Sequence, residues 1–177
     1  MMRRPPRSTR KESSAASDVY KRQGFTVIVL LIVITGLMAG IYFAFSVFIM
    51  KSFALLPDLH AAKAMKAIND VIVNTLFLPV FFGSTLWYTG LIVWQLADWQ
   101  GQASLIMIVA SVIYIAGMFV VTAFGNVPLN NALKNAAEDD RKLATTWQHY
   151  LSRWTQLNHI RTLSCIVACA LLTISQN

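Results

Sequence analysis

Charge is scarce in this chain: 13% of its 177 residues are Asp, Glu, Lys or Arg, against 56% hydrophobic. A soluble globule carries roughly a quarter of its residues charged, so that class is excluded. Cysteine is scarcer still. The two thiols, Cys165 and Cys169, stand four apart in one apolar block, on adjacent turns of a single helix, which excludes a disulfide framework and predicts a packing role. No paired C-x-x-C occurs, and no metal is expected. No signal peptide is expected either, because the first hydrophobic run is too long and lacks a small-residue cleavage site.

What is present comes in blocks. A bilayer core about 30 Å thick takes roughly 20 apolar residues per helical span, and four stretches qualify. They are residues 25–50, 71–96 and 104–124, and the apolar half of a long last helix over 140–174. The expected fold is all-α: an integral membrane four-helix bundle with an interfacial helix between the first and second spans. The expected partner is the lipid bilayer.

The net charge of +7 raises a nucleic-acid reading, but its location argues against one. Residues 1–23 hold seven basic and two acidic side chains, leaving only +2 for the rest. No nucleic-acid partner is expected. This tail is rich in Pro, Ser and basic residues and is expected to be disordered, with residues 24–177 forming the four-helix domain. Its segment RRPPRSTRKESSAASDVYKRQ resembles translated sequencing-adapter read-through, which would make residues 1–23 no part of the natural protein. The competing reading is a basic anchor for anionic lipid.

Local signals refine the spans. Gly36, Gly40 and Ala44 place a small residue every four in the first, and that face is expected to pack against the second or fourth helix rather than to dimerise. Leu55, Leu59, Ala62 and Met65 recur at helical spacing in the interfacial segment. Pro79 is expected to kink the second span, Trp94 and Trp99 to mark the water boundary, and Gly125-Asn126-Val127-Pro128 to stop the third. The acidic run Glu138-Asp139-Asp140 suits the start of the last helix, whose dipole favours anions. At about 1.5 Å per residue that helix is roughly 50 Å long, more than a bilayer needs. Basic residues cluster in the first and third loops, and the Asp98–Ala103 link has no Lys or Arg. That asymmetry predicts cytoplasmic first and third loops.

The last helix carries the pattern richest in chemistry. Trp147, Tyr150, Trp154, Asn158, Arg161, Cys165 and Ala168 step by three, four, four, three, four and three. At about 100° per residue they share a sector of roughly 80°. Two readings stay open: an aromatic belt with a snorkelling Arg161, or one wall of a pocket for a planar apolar ligand. Asn69, Asn74, Asn126 and Asn130 lie at the same membrane face as Asn158 and are either structural hydrogen-bonding groups or ligand contacts. His159 sits about 100° off the stripe.

These residues resemble the anthrone oxygenase-like family of four-span membrane proteins, most of whose bacterial members are domains of unknown function. The resemblance lies in GLMAGIYFAFSVFIM (36–50), AMKAINDVIVN (64–74), FGNVPLNNAL (124–133) and WQHYLSRWTQLNHIRT (147–162). Lys51 and Thr75 depart from it, standing where the family commonly has proline. The resemblance implies a multi-pass protein of the bacterial cytoplasmic membrane that oxidises an anthrone, a planar phenolic small molecule, to an anthraquinone with O2 and no cofactor. By position it implies His159 as base, Arg161 and Asn158 as anion stabilisers, and Trp154 and Tyr150 as a ring clamp. Trp147, Asn69, Asn74, Asn126 and Asn130 complete the candidate substrate contacts. The alternative is a non-enzymatic membrane protein holding a quinone-like or lipid ligand. A haem protein ranks third, since only His159 offers an axial ligand. Oligomeric state has no sequence signal.

Overall fold

The computed structural model describes residues 7–136 and 140–176. Its first helix, α1 (Arg7–Ala44), passes through a π-turn (Phe45–Ile49) into the short α2 (Met50–Phe53). A surface helix α3 (Asp58–Ile72) and the spans α4 (Phe77–Ala97) and α5 (Gln102–Tyr114) follow. Two π-turns, Ile115–Val120 and Thr122–Asn126, join α5 to α6 (Val127–Asn135), and α7 (Asp140–Ile174) closes the chain. Four continuous segments are long and apolar enough to cross a membrane: Arg22–Phe53, Phe77–Ala97, Gln102–Asn135 and Arg141–Ile174. The protein is thus an all-α, multi-pass membrane bundle, with α3 packed across one end. Backbone is helical from Arg7, inside the segment expected to be disordered; once a span has paid the nucleation cost, Ala, Lys and Arg extend a helix readily. Glu138 and Asp139 lie outside the described residues.

α7 is the hub, in contact with α1, α3, α5 and α6. Its buried residues Leu143, Trp147, Tyr150, Trp154, Asn158, Arg161, Cys165, Ala168 and Leu172 continue the sequence stripe by a turn at each end. Two apolar clusters result. One, at the end where α4 meets α5, gathers Leu31, Met38, Tyr88, Tyr114, Met118, Cys165 and Leu172; the other gathers Met50, Met65, Leu133, Trp147, Tyr150 and Trp154 under α3. Tyr88 and Tyr114 stack at 4.1 Å, and their hydroxyls bond Thr35 at 2.8 Å and Ser84 at 2.7 Å. Such pairs satisfy polar groups that lipid cannot. Cys165 and Cys169 are free thiols, and Cys165 packs in the first cluster.

Four local expectations are corrected. Gly36 and Gly40 face outward, and a Cβ at either would meet nothing within 4 Å; Met38 and Tyr42, two residues on and so on the opposite face, take the interior instead. Leu55 is 87% exposed because it falls in the turn before α3. Pro79 does not kink the second span: α3 ends at Ile72, the helix restarts at Phe77, and Pro79 sits in the first turn, where an N–H has no intrahelical partner to lose. The third span does not stop at Gly125–Pro128. A π-turn directly ahead of Pro128 loosens the ladder where its N–H is missing, and the chain runs on as α6.

That continuation brings span three tightly onto α7. A Cβ at Gly117 would overlap Ser164 Oγ and Cβ, and one at Gly125 would stand 2.8 Å from Leu157 Cδ1. Gly117→Ala is therefore expected to lower thermal stability in detergent by about 1–3 kcal/mol, the usual cost of overpacking. Gly36→Ala is the control, and its melting temperature should not fall. At the far end, Gly101 has φ +70°, which favours glycine in the link between α4 and α5. At the α3 end, Lys134 pairs with Asp70 at 3.2 Å and Lys66 Nζ donates to Ala136 O at 3.2 Å, so the first and third loops share one side of the bundle.

Candidate functional site

Between the two clusters lies a polar layer centred on Asn158 and Arg161. Asn158 Nδ2 donates to Tyr42 O and to Ser46 Oγ, both at 2.7 Å. Its Oδ1 accepts from Arg161 at 2.6 Å. Ser46 Oγ and Thr162 Oγ1 close the junction at 2.9 Å. The bonded carbonyl lies just ahead of the π-turn in the first span, where a loosened ladder gives side chains access. One amide thereby ties α1 to α7 and holds the guanidinium.

Arg161 is only 5% exposed, and among the described residues no carboxylate stands within ion-pair reach of it. Aromatic faces supply the compensation: its guanidinium carbon lies 4.4 Å from the Tyr42 ring centroid and 4.8 Å from that of Trp154. Each contact is worth roughly 0.5–2 kcal/mol once water is excluded. A further bond to Thr122 Oγ1 is long, at 3.4 Å. Arg161 Nε and Tyr42 Oη, both buried, have no hydrogen-bond partner. This is no snorkelling arginine. The cation is held inside the bundle with bonding capacity to spare.

Both residues line a cavity of about 180 Å³ enclosed by α1, α3, α4, span three and α7. Phe45, Phe77, Phe81, Phe82 and Trp154 supply flat walls; Asn69, Asn130, Thr122 and Arg161 supply polarity. A dry cavity of about 150 Å³ already takes up benzene, so an aromatic ring fits. Val73, Phe82 and Val127, which border it, are 51%, 50% and 42% exposed. The opening therefore faces the bilayer between α4 and span three, a route for an apolar ligand.

Of the ten sequence candidates, Arg161, Trp154, Asn69 and Asn130 border this cavity. Trp147 and Tyr150 stand behind it, stacked in series with Trp154 at 5.7 and 5.9 Å. Asn130 Oδ1 accepts from both Tyr150 Oη at 2.8 Å and Trp154 Nε1 at 3.0 Å, fixing the wall. Asn126 and Asn158 are support: Asn126 Nδ2 reaches Trp154 O at 3.3 Å. Asn74 is exposed and bonds Asp70 O at 3.1 Å in the turn after α3. His159 requires a correction, because one residue beyond Asn158 turns it by about 100° onto the exposed outer face of α7. It has no access to the cavity as base or axial ligand. Tyr42 and Thr122 were not singled out from the sequence. A tyrosine deep in a charge-free span, away from the interfaces where tyrosine gathers, was the available signal for Tyr42.

The sequence profile of the anthrone oxygenase family matches residues 73–171, a stretch that includes α4, span three and the whole polar stripe of α7. The chain belongs to the anthrone oxygenase family. No curated protein and no solved structure matches it. Tyr42 and Asn69 lie before the matched stretch yet border the same cavity as its Arg161. Among the described residues no group of three or more His, Cys, Asp or Glu side chains is placed to hold a metal ion.

Proposed function

We propose that the cavity binds a planar phenolic substrate of the anthrone type and that the protein oxidises it with O2, as its family membership suggests. The observation that carries this reading is the buried cation of Arg161, with no carboxylate partner among the described residues, on the wall of an aromatic-lined cavity. Loss of the benzylic proton leaves an enolate, and a fixed cation in a water-poor site favours that charge. The enolate passes one electron to O2, and the carbon radical and superoxide then join at the benzylic carbon. Protonation gives a hydroperoxide, which eliminates water to leave the second quinone carbonyl. Anthrone and O2 thus become anthraquinone and water, with no other reductant required.

The base is not His159, and no carboxylate borders the cavity. Anthrones lose their benzylic proton readily through the enol, so the neutral substrate enters from the bilayer and the fixed cation favours its ionisation to solvent without a base on the wall. His159→Ala is accordingly expected to retain full activity, measured as anthrone-dependent oxygen uptake by protein in detergent or nanodiscs. The same lack of a base favours a second reading, in which the cavity holds a quinone-like lipid without turnover. Oxygen uptake with stoichiometric quinone formation supports the oxygenase. Saturable quinone binding with no uptake overturns it in favour of the carrier.

A further inference from the structure

The wall formed by Tyr150, Trp154, Asn69 and Asn130 has a bonding direction that one group settles. An indole N–H only donates, so the Asn130 atom that Trp154 Nε1 meets at 3.0 Å is the carbonyl oxygen, and the amide cannot be turned the other way. Tyr150 Oη stands 2.8 Å from that same oxygen and must donate to it as well. With its proton committed, the phenol can only accept from its other side-chain partner, Asn69, which therefore presents its NH2 to Tyr150. Two groups are left over: the NH2 of Asn130 and the carbonyl oxygen of Asn69. Both residues are half-buried and border the cavity. Among the described residues neither leftover group has a protein partner, and neither is among the polar atoms that protein encloses unpaired.

We infer that Asn69 and Asn130 together read a ring hydroxyl on the substrate, which donates to Asn69 Oδ1 and accepts from Asn130 Nδ2. This rests on the function proposed above and adds which substituent is recognised and by which groups. The two amides bond one phenol oxygen, that of Tyr150, so their free ends flank a single position on the wall. An acceptor beside a donor suits a group that both gives and takes a hydrogen bond, as a phenolic hydroxyl does. A ketone, an ether or a carboxylate only accepts, and would set a lone pair against Asn69. Arg161 lies over the face of the same indole whose N–H edge holds Asn130. The oxygen that gains charge and the hydroxyl that orients the ring are thus held at separate points. Turning the ring end for end would press a bare edge against two unsatisfied amide groups, and that cost selects the pose.

Binding of anthraquinone, 2-hydroxyanthraquinone and 2-methoxyanthraquinone to the purified full-length protein, followed by quenching of tryptophan fluorescence, tests this without altering the protein. Mildly acidic buffer keeps the phenol neutral, and the 2-position is used because a 1-hydroxyl spends its proton on the adjacent ring carbonyl. The hydroxy compound is expected to bind about tenfold more tightly than either of the others, the worth of one or two hydrogen bonds to otherwise unpaired groups. Asn69→Leu is expected to cut that ratio to about threefold or less while leaving anthraquinone affinity nearly unchanged. A merely structural asparagine would instead weaken all three ligands alike. Equal affinity for the three in the unsubstituted protein overturns the inference and leaves the cavity's function standing, whether or not the variant folds. A full preference that survives in folded Asn69→Leu also overturns it, because other groups would then read the hydroxyl. Failure of the unsubstituted protein to bind any of the three would overturn both the inference and the reading beneath it.

Discussion

Arg161→Met is expected to abolish anthrone-dependent oxygen uptake, by a factor of about 100–1,000, without lowering the melting temperature appreciably. The first half follows from electrostatics. Removal of one preorganised donor from a developing oxyanion typically costs that much in turnover, and here the lost donor carries the only charge on the cavity wall. The second half follows from what the arginine costs the fold. A guanidinium 5% exposed, with no carboxylate partner among the described residues, is stabilised by two ring faces and a 2.6 Å bond to Asn158, and removing the charge also removes its desolvation cost, which offsets the loss of those contacts. Methionine keeps the stem and loses the charge. An arginine present for packing alone would give the reverse pattern, with activity spared and stability reduced.

Asn158→Leu should be the most destabilising change in the polar layer, costing about 3–5 kcal/mol in detergent unfolding. The amide makes three short bonds, to Tyr42 O, Ser46 Oγ and Arg161. Without it the guanidinium keeps only the 3.4 Å contact with Thr122 and its two rings. The greater part of the loss is thus a stranded charge rather than missing bonds. Combining the substitution with Arg161→Met should restore part of the stability, because the double variant no longer buries that charge. Simple addition of the two single effects would mean that the residues do not depend on each other.

Much of the architecture was legible because a bilayer leaves a chain few options: apolar length gave the spans, and the 80° stripe on α7 gave the buried face that organises the bundle. The limits of α7, Asp140 and Ile174, were read directly from composition. Glycine and proline were the poor guides. Gly36 and Gly40 formed the more obvious small-residue pattern, yet Gly117 and Gly125 make the close approach, because which face turns inward is decided by large residues such as Tyr42 and Met38. Pro79 and Pro128 read as breaks and proved to be first-turn residues after a turn and a π-turn. A π-turn has no clear sequence mark, and three of them set the register on which the site depends.

The site was half visible for the same reason. Helical spacing shows which residues share a face, so Arg161, Trp154 and Asn158 came out together and His159 was seen to stand apart. Spacing within one helix is silent on which other helix meets that face. Tyr42 joins the site from 119 residues earlier in the chain, and Asn69 from a surface helix. Asn130 looked like a loop amide and instead braces Tyr150 and Trp154, since span three runs on past its expected end.

The most direct test is a crystal structure grown in lipid with an anthraquinone present at saturation. Expected is a flat ligand in the cavity beside Trp154 and Phe81, with one oxygen turned toward the Arg161 guanidinium. A ligand bound elsewhere, or a cavity filled by collapsed side chains with Arg161 turned out toward the headgroups, would contradict a site built around a buried cation.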